Sequence, residues 1–203
     1  EVEGDAADRF AHQLAGLADI FVNDAFGSWQ PHISTVGVNK YLPSYAGYLM
    51  QKEIENLERI YNPESPFVAV VAGSKFDTKI EPLFVLLKKA DYLVLGGVIY
   101  NAYLCAKYGI SIKGISKEDM EHAKAFVNYA EKFPGKLVEL PYIVESDTLE
   151  GKFDGQYRVH NIRQLKQGIA LNYILDVAPE SFDDAEVNAV FHKAKTVFVN
   201  AVM

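Results

Sequence analysis

Val70-Val71-Ala72-Gly73-Ser74-Lys75-Phe76-Asp77-Thr78-Lys79 holds a strand, a turn and a helix start. An apolar, β-branched run of the kind that fills a buried strand passes into small residues, and two lysines four apart then open a helix. Backbone N–H groups in a turn of Ala, Gly and Ser approach an anion closely, and the first amides of the following helix add partial positive charge. Side chains at a four-residue interval share one helical face, so Lys75 and Lys79 are placed to converge on one polyphosphate chain. The competing reading is two solvated lysines beside an ordinary strand-to-helix turn. The spacing matches neither the G-x-x-x-x-G-K-[ST] loop nor the dinucleotide G-x-G-x-x-G.

Outward from this stretch, short β-rich runs alternate with helical patterns. Downstream, strands are expected at 67–71, 92–95, 137–144, 170–177 and 196–200, with helices at 79–90, 99–108, 117–133 and 179–194. Residues 145–167, polar and glycine-bearing, read as irregular strands or an excursion. Such alternation predicts an α/β fold, a doubly wound, Rossmann-like parallel sheet. Upstream, Phe10, Leu14, Leu17 and Ala18 recur at helical spacing after the capping residue Asp5, and Ile20-Phe21-Val22 reads as a buried strand. Residues 28–42 read as a loop with a short extended piece, and 44–61 as a long amphipathic helix. Asn62-Pro63-Glu64-Ser65-Pro66 breaks that pattern and is the preferred domain boundary. Ligands of doubly wound sheets lie beyond the carboxyl ends of the strands. Those ends are expected to bring Gly73-Ser74-Lys75, Gly96-Gly97, Asp176-Val177-Ala178 and Asn200 to one edge.

With 49% apolar residues among 203, the chain has ample material for a core. Its 27 acidic and 20 basic residues give a net charge of -7, with only four arginines, so no broad cationic face is available to neutralise a nucleic-acid backbone. A single cysteine, Cys105, rules out an internal disulfide framework and any multi-cysteine metal site, and is read as packing on a helix. The five histidines, His12, His32, His122, His160 and His192, lack paired metal-ligand spacing. Asp183-Asp184 and Glu118-Asp119 lie near expected helix starts, where acids favour the dipole. Neither a membrane span nor a positive signal-peptide start is visible, so the expectation is a soluble protein without membrane or nucleic-acid partners.

Asn23-Asp24-Ala25-Phe26-Gly27, Ser34-Thr35-Val36-Gly37, Leu42-Pro43, the lysine turn, Gly96-Gly97, Leu175-Asp176-Val177-Ala178-Pro179 and Lys195-Thr196-Val197-Phe198-Val199-Asn200 follow one another in an order that resembles phosphoglycerate kinase. The resemblance spans nearly the whole chain. Members of that family run to about twice this length, so the chain reads as a middle piece. On that view, residues 1–44 are a remnant of the N-terminal glycerate-binding domain, 45–62 an interdomain helix, and 63–203 a truncated nucleotide-binding domain. The resemblance implies transfer of a phosphoryl group between 1,3-bisphosphoglycerate and Mg-ADP, giving 3-phosphoglycerate and ATP, as in glycolysis. It implies Mg-ADP or Mg-ATP as cofactor, with magnesium carried by the nucleotide. A cytoplasmic location is expected, with an organelle as the alternative because targeting sequence is absent from a middle piece.

The resemblance implies residue roles as well. Lys75 stands where the family lysine contacts the transferring phosphoryl group, and Lys79 where a second lysine holds nucleotide phosphates, with Gly73 in the turn before them. Gly96 and Gly97 match the first two glycines of a Gly-Gly-Gly beside the adenine, while Val98 replaces the third. Leu175 matches a residue of the purine wall, although Ile174 and Ala178 occupy positions that are usually glycine. Asn200 matches the asparagine that meets nucleotide phosphates or ribose, but Ala201-Val202-Met203 departs from Gly-Pro-Met. In the glycerate half, Ser28-Trp29-Gln30-Pro31-His32-Ile33 replaces a Thr-Ala-His-Arg-Ala-His stretch. Gln30 takes the place of a substrate arginine, whose charge-assisted bidentate contact a neutral amide cannot reproduce. His32 matches the second histidine and is the substrate-binding candidate that remains; Trp29 is expected to pack.

Two readings follow. One is an enzyme whose isolated 203-residue piece is inactive. The other is a degenerate, non-catalytic relative that serves as a structural or interaction scaffold with protein partners.

Overall fold

The computed structural model describes residues 4–28, 30–74, 80–149 and 157–201. Lys75, Lys79 and Trp29 lie outside them. The chain divides into two compact units, Glu1–Pro63 and Glu64–Met203.

In the first unit, α1 (Asp5–Ala15) precedes β1 (Phe21–Asn23), and β2 (Ser44–Ala46) leads into α2 (Tyr48–Glu58). The strands β1 and β2 pair in parallel, Phe21 opposite Ser44 and Asn23 opposite Ala46. Asp5 is not the cap expected: Gly4, at φ +64°, takes the N-cap position and Asp5 enters the first turn, where its charge still favours the helix dipole. The expected buried strand is also corrected. Val22 is 51% exposed and Ile20 56%, because β1 has only β2 beside it among the described residues. The loop expected at 28–42 holds 3-10 turns, Phe26–Ser28 and Gly37–Lys40, the second packed on Ala11 of α1. The helix expected at 44–61 is shorter, since its first residues form β2.

Asn23 and Asp24 hold this unit together. The Asn23 side chain donates to the Thr35 carbonyl at 3.2 Å and accepts from the Ala25 N–H at 3.0 Å. Asp24 Oδ1 accepts the Met50 N–H at 3.0 Å, satisfying one of the free amides in the first turn of α2. For that carboxylate to reach in, position 47 must lack a side chain: a Cβ on Gly47 would lie 2.4 Å from Asp24 Cγ and 2.5 Å from its Cβ. Gly47→Ala is therefore expected to destabilise this unit by about 1–3 kcal/mol, the range of core overpacking. Urea titration monitored by tyrosine fluorescence checks this, and an unchanged midpoint contradicts it.

In the second unit, β3 (Phe67–Gly73), α3 (Ile80–Lys89), β4 (Tyr92–Gly96), α4 (Gly97–Tyr108), β5 (Ser111–Ile112), α5 (Lys117–Ala130), β6 (Leu137–Val138) and β7 (Tyr142–Ser146) follow in order. Then come β8 (Tyr157–Asn161), β9 (Ala170–Leu171), β10 (Tyr173–Val177), α6 (Ala185–Lys193) and β11 (Thr196–Asn200). A parallel sheet runs β11-β3-β4-β6, as the alternation predicts. Phe67 to Ala72 are all buried, the pattern of a central parallel strand covered on both faces.

Ile99 to Cys105 of α4 are buried without interruption, so this helix is enclosed rather than amphipathic. Cys105 packs there as expected, and burial pushes its thiol pKa up. The polar ends of the α4 tyrosines are satisfied. Tyr100 donates to the Leu140 carbonyl at 2.8 Å, while Tyr103, Tyr108 and Lys107 all meet the Glu139 carboxylate at 2.7 Å. Burial alone would raise the Glu139 pKa, but Lys107 and the two phenols hold it below the usual value. Helix starts use the acids as expected: Asp184 accepts from the Glu186 and Val187 N–H groups, and Ser116 caps α5 with Glu118 and Asp119 in its first turn.

Three expectations change here. The strand at 137–144 is two strands, β6 in the parallel sheet and β7 in an antiparallel one. The strand at 170–177 is likewise divided, since Ala170–Leu171 pairs with β5 and Tyr173–Val177 with β7. The helix at 179–194 opens as a 3-10 turn, Pro179–Phe182, before α6. The two strand runs are interrupted at Glu139 to Pro141 and at Asn172, and a β-rich run alone does not say which neighbour a strand will choose.

Candidate functional site

Strand order in the parallel sheet reverses at β3: β4 and β6 lie on one side, β11 on the other. A crevice at the carboxyl end of such a reversal is where open α/β sheets take ligands. Gly73 ends β3 there, Gly96 ends β4, and Asn200 ends β11 opposite Val71. Ala72 is opposite Gly96, and Gly73 bridges Gly97. So the edge brings together Gly73, Gly96, Gly97 and Asn200. The turn lysines that follow Ser74 lie outside the described residues.

Gly97 shows why glycine is required. Its φ is +60°, and a Cβ added there would stand 3.0 Å from the Gly73 carbonyl oxygen and 3.2 Å from the Gly73 nitrogen. The backbones of β3 and α4 therefore meet at Gly73 and Gly97 with no side chain between them. Gly96 is the N-cap of α4, so this 12-residue helix begins at the same place and directs its free amides toward it. Val98, in the position of the third glycine, is half-buried.

Asp176-Val177-Ala178 do not join this edge. The strand that carries Asp176 and Val177 and ends just before Ala178, β10, runs antiparallel to β7 in a sheet of order β10-β7-β8. Leu175 is on that strand, and it is the bulged residue: Ile174 pairs with Glu145 and Asp176 with Val144, which leaves Leu175 without a counterpart. The sheet nonetheless connects to α4, because Asn101 Nδ2 donates to the Ile174 carbonyl at 2.9 Å. His32 is far from these residues in sequence, in the first unit. It is exposed, and its backbone N–H donates to Thr35 Oγ1 at 3.1 Å, shaping the turn before Gly37.

A polar network absent from the sequence reading supports β10 from the other side. Glu145, 5% exposed, receives Arg158 Nε at 2.9 Å, the Asn172 N–H at 2.6 Å and His160 Nε2 at 2.7 Å. Arg158 reaches on to Asp147 at 2.6 Å, and Asn172 Nδ2 also donates to Asp147 at 3.0 Å. Burial by itself would raise the Glu145 pKa, but these donors outweigh it and hold the carboxyl at about 2. The signal was present: Glu145 is an acid within Tyr142-Ile143-Val144-Glu145-Ser146, a strand-like run. A buried charge there requires partners, although the run does not say which.

The family model for phosphoglycerate kinase matches residues 1–203. The chain belongs to the phosphoglycerate kinase family. It is 37% identical to the phosphoglycerate kinase of Moorella thermoacetica over 175 residues, which cover 85% of this chain and 43% of that one. With the phosphoglycerate kinase of Borrelia duttonii the identity is 35% over 202 residues, 98% of this chain and 50% of the relative. The structure of phosphoglycerate kinase from Coxiella burnetii superposes with a TM-score of 0.76 at 35% identity, over 96% of this chain and 49% of that one. The Pyrococcus horikoshii phosphoglycerate kinase shares the fold at 22% identity, with a TM-score of 0.78. The chain spans about half the length of the curated relatives it matches. Among the described residues, no helix is long and apolar enough to cross a membrane.

Proposed function

We propose that this chain is the nucleotide-binding portion, with part of the glycerate-binding portion, of an enzyme that moves a phosphoryl group between 1,3-bisphosphoglycerate and Mg-ADP, giving 3-phosphoglycerate and ATP. In this reading residues 1–44 belong to the glycerate half, 45–62 link the halves, and 63–203 hold the nucleotide. The observation that carries it is the bare peptide mouth at Gly73 and Gly97, set where the strand order reverses and beside the start of α4. Gly96 and Gly97 are assigned to the adenine, whose flat face can approach a backbone that carries no Cβ at Gly97. Phosphoryl transfer asks mainly for positioning and charge neutralisation, the role given to Lys75, with Lys79 holding nucleotide phosphates and Asn200 meeting phosphate or ribose. Leu175 is assigned to the purine, His32 to the glycerate, and magnesium to the nucleotide's own phosphates.

Isothermal titration of the 203-residue chain with Mg-ADP tests the reading. Saturable binding is expected, weakened about tenfold or more in Lys79→Ala, the loss of one charge-assisted phosphate contact. Silence in the parent chain would sink the nucleotide assignment and favour a scaffold. In a coupled assay the 203-residue chain alone is expected to show no useful turnover, because it spans about half the length of its relatives and so carries only part of the proposed site.

A further inference from the structure

Resting on the nucleotide reading above, we infer that Asn101 is a positioning residue: it fixes the bulge at Leu175 against α4 and so sets the base end of the nucleotide site. Three observations converge on it. Asn101 is 6% exposed on an otherwise apolar, enclosed stretch of helix, where an amide is out of place unless it makes a specific bond. Its Nδ2 reaches across 73 residues of sequence to the Ile174 carbonyl at 2.9 Å, immediately before the unpaired Leu175. And it lies four residues beyond Gly97, on the same helix face and about 6 Å further along the axis. One helical turn thus separates the glycine mouth from the bond that holds the bulge.

A bulge re-aims the residue it releases, and it persists only where the surroundings over-determine it. Here the strand is held from two directions. Glu145 takes the Asn172 N–H on one side, and Asn101 gives to the Ile174 carbonyl on the other. The Glu145 bond lies before the bulge and sets where β10 begins. The Asn101 bond lies next to the bulge and ties Leu175 to the helix whose first residue is Gly97. A side chain at this position therefore governs base recognition more than phosphate recognition.

The test compares two probes on the 203-residue chain, Mg-ADP and inorganic tripolyphosphate, by isothermal titration of the parent and of Asn101→Leu. Leucine keeps the volume and removes the donor. The expected result is that Mg-ADP binding weakens about tenfold while tripolyphosphate binding changes less than about twofold, so the ratio of the two affinities falls. A general loss of structure would weaken both together, and that outcome, or an unchanged ratio, overturns the inference. Should Asn101→Leu fail to fold, the Asn101 side-chain amide resonance of the parent decides: a shift with Mg-ADP and none with tripolyphosphate supports the role, and no shift with Mg-ADP overturns it. If the parent takes up neither probe, the nucleotide reading itself falls and this inference with it; if the parent binds Mg-ADP and the ratio is unmoved, this inference alone falls.

Discussion

Glu145→Ala is expected to lower stability by about 3 kcal/mol at neutral pH, the low end for breaking a buried ion pair, because Arg158 keeps Asp147 as a partner. In a unit of this size that shifts the unfolding midpoint by roughly 10 °C. What the substitution strands is the Asn172 N–H and the His160 ring, both of which meet Glu145. The pH dependence has a definite sign. The Glu145 carboxyl titrates at about 2 in the folded chain against an ordinary 4.5, so between those values the unfolded chain binds more protons than the folded one. The stabilisation is complete above about pH 5 and is lost as the pH falls toward 2. Thermal unfolding of parent and variant across that range checks it. The gap between them should close as the solution becomes more acid, and a gap that stays constant with pH, or is absent at neutrality, refutes the assignment.

Gly97→Ala is expected to cost roughly 3 kcal/mol, from left-handed backbone strain together with a methyl pressed against fixed peptide atoms. Neither term can relax easily. The positive φ belongs to the first residue of α4, and the obstructing atoms are the nitrogen and oxygen of Gly73 at the end of a buried strand. Moving them would part β3 from β4 at the mouth of the crevice. The same substitution is therefore expected to abolish Mg-ADP binding measured by titration, even at temperatures where the variant stays folded. An alanine variant with parental stability would show that the approach of these backbones is not a constraint. One that is destabilised yet binds normally would separate the glycine from the ligand.

The apolar run before Gly73 and the alternation that follows it made the α/β class legible, because buried parallel strands and their crossover helices leave strong local patterns. Gly73, Gly96, Gly97 and Asn200 could be placed at one edge for the same reason: in a parallel sheet the carboxyl ends of strands must lie together. Asp176 was misplaced because Ala170 to Val177 is a run whose local pattern is satisfied equally by one strand in either sheet. The switch at Asn172 depends on Glu145, 27 residues away, accepting its N–H. Asp24 was legible as part of a motif but not as the acceptor for Met50, a bond that exists only once β1 lies beside β2.

By itself the sequence determined the family, the sheet class and which residues are chemically able to meet a phosphate, since those follow from residue type and local order. Only the tertiary structure decided that Leu175 sits on a bulge, that Asn101 holds it, and that Glu145 is a buried ion. Each of these is a pairing between groups distant along the chain, and its energy depends on a desolvation that no stretch of residues possesses until the molecule has closed around it.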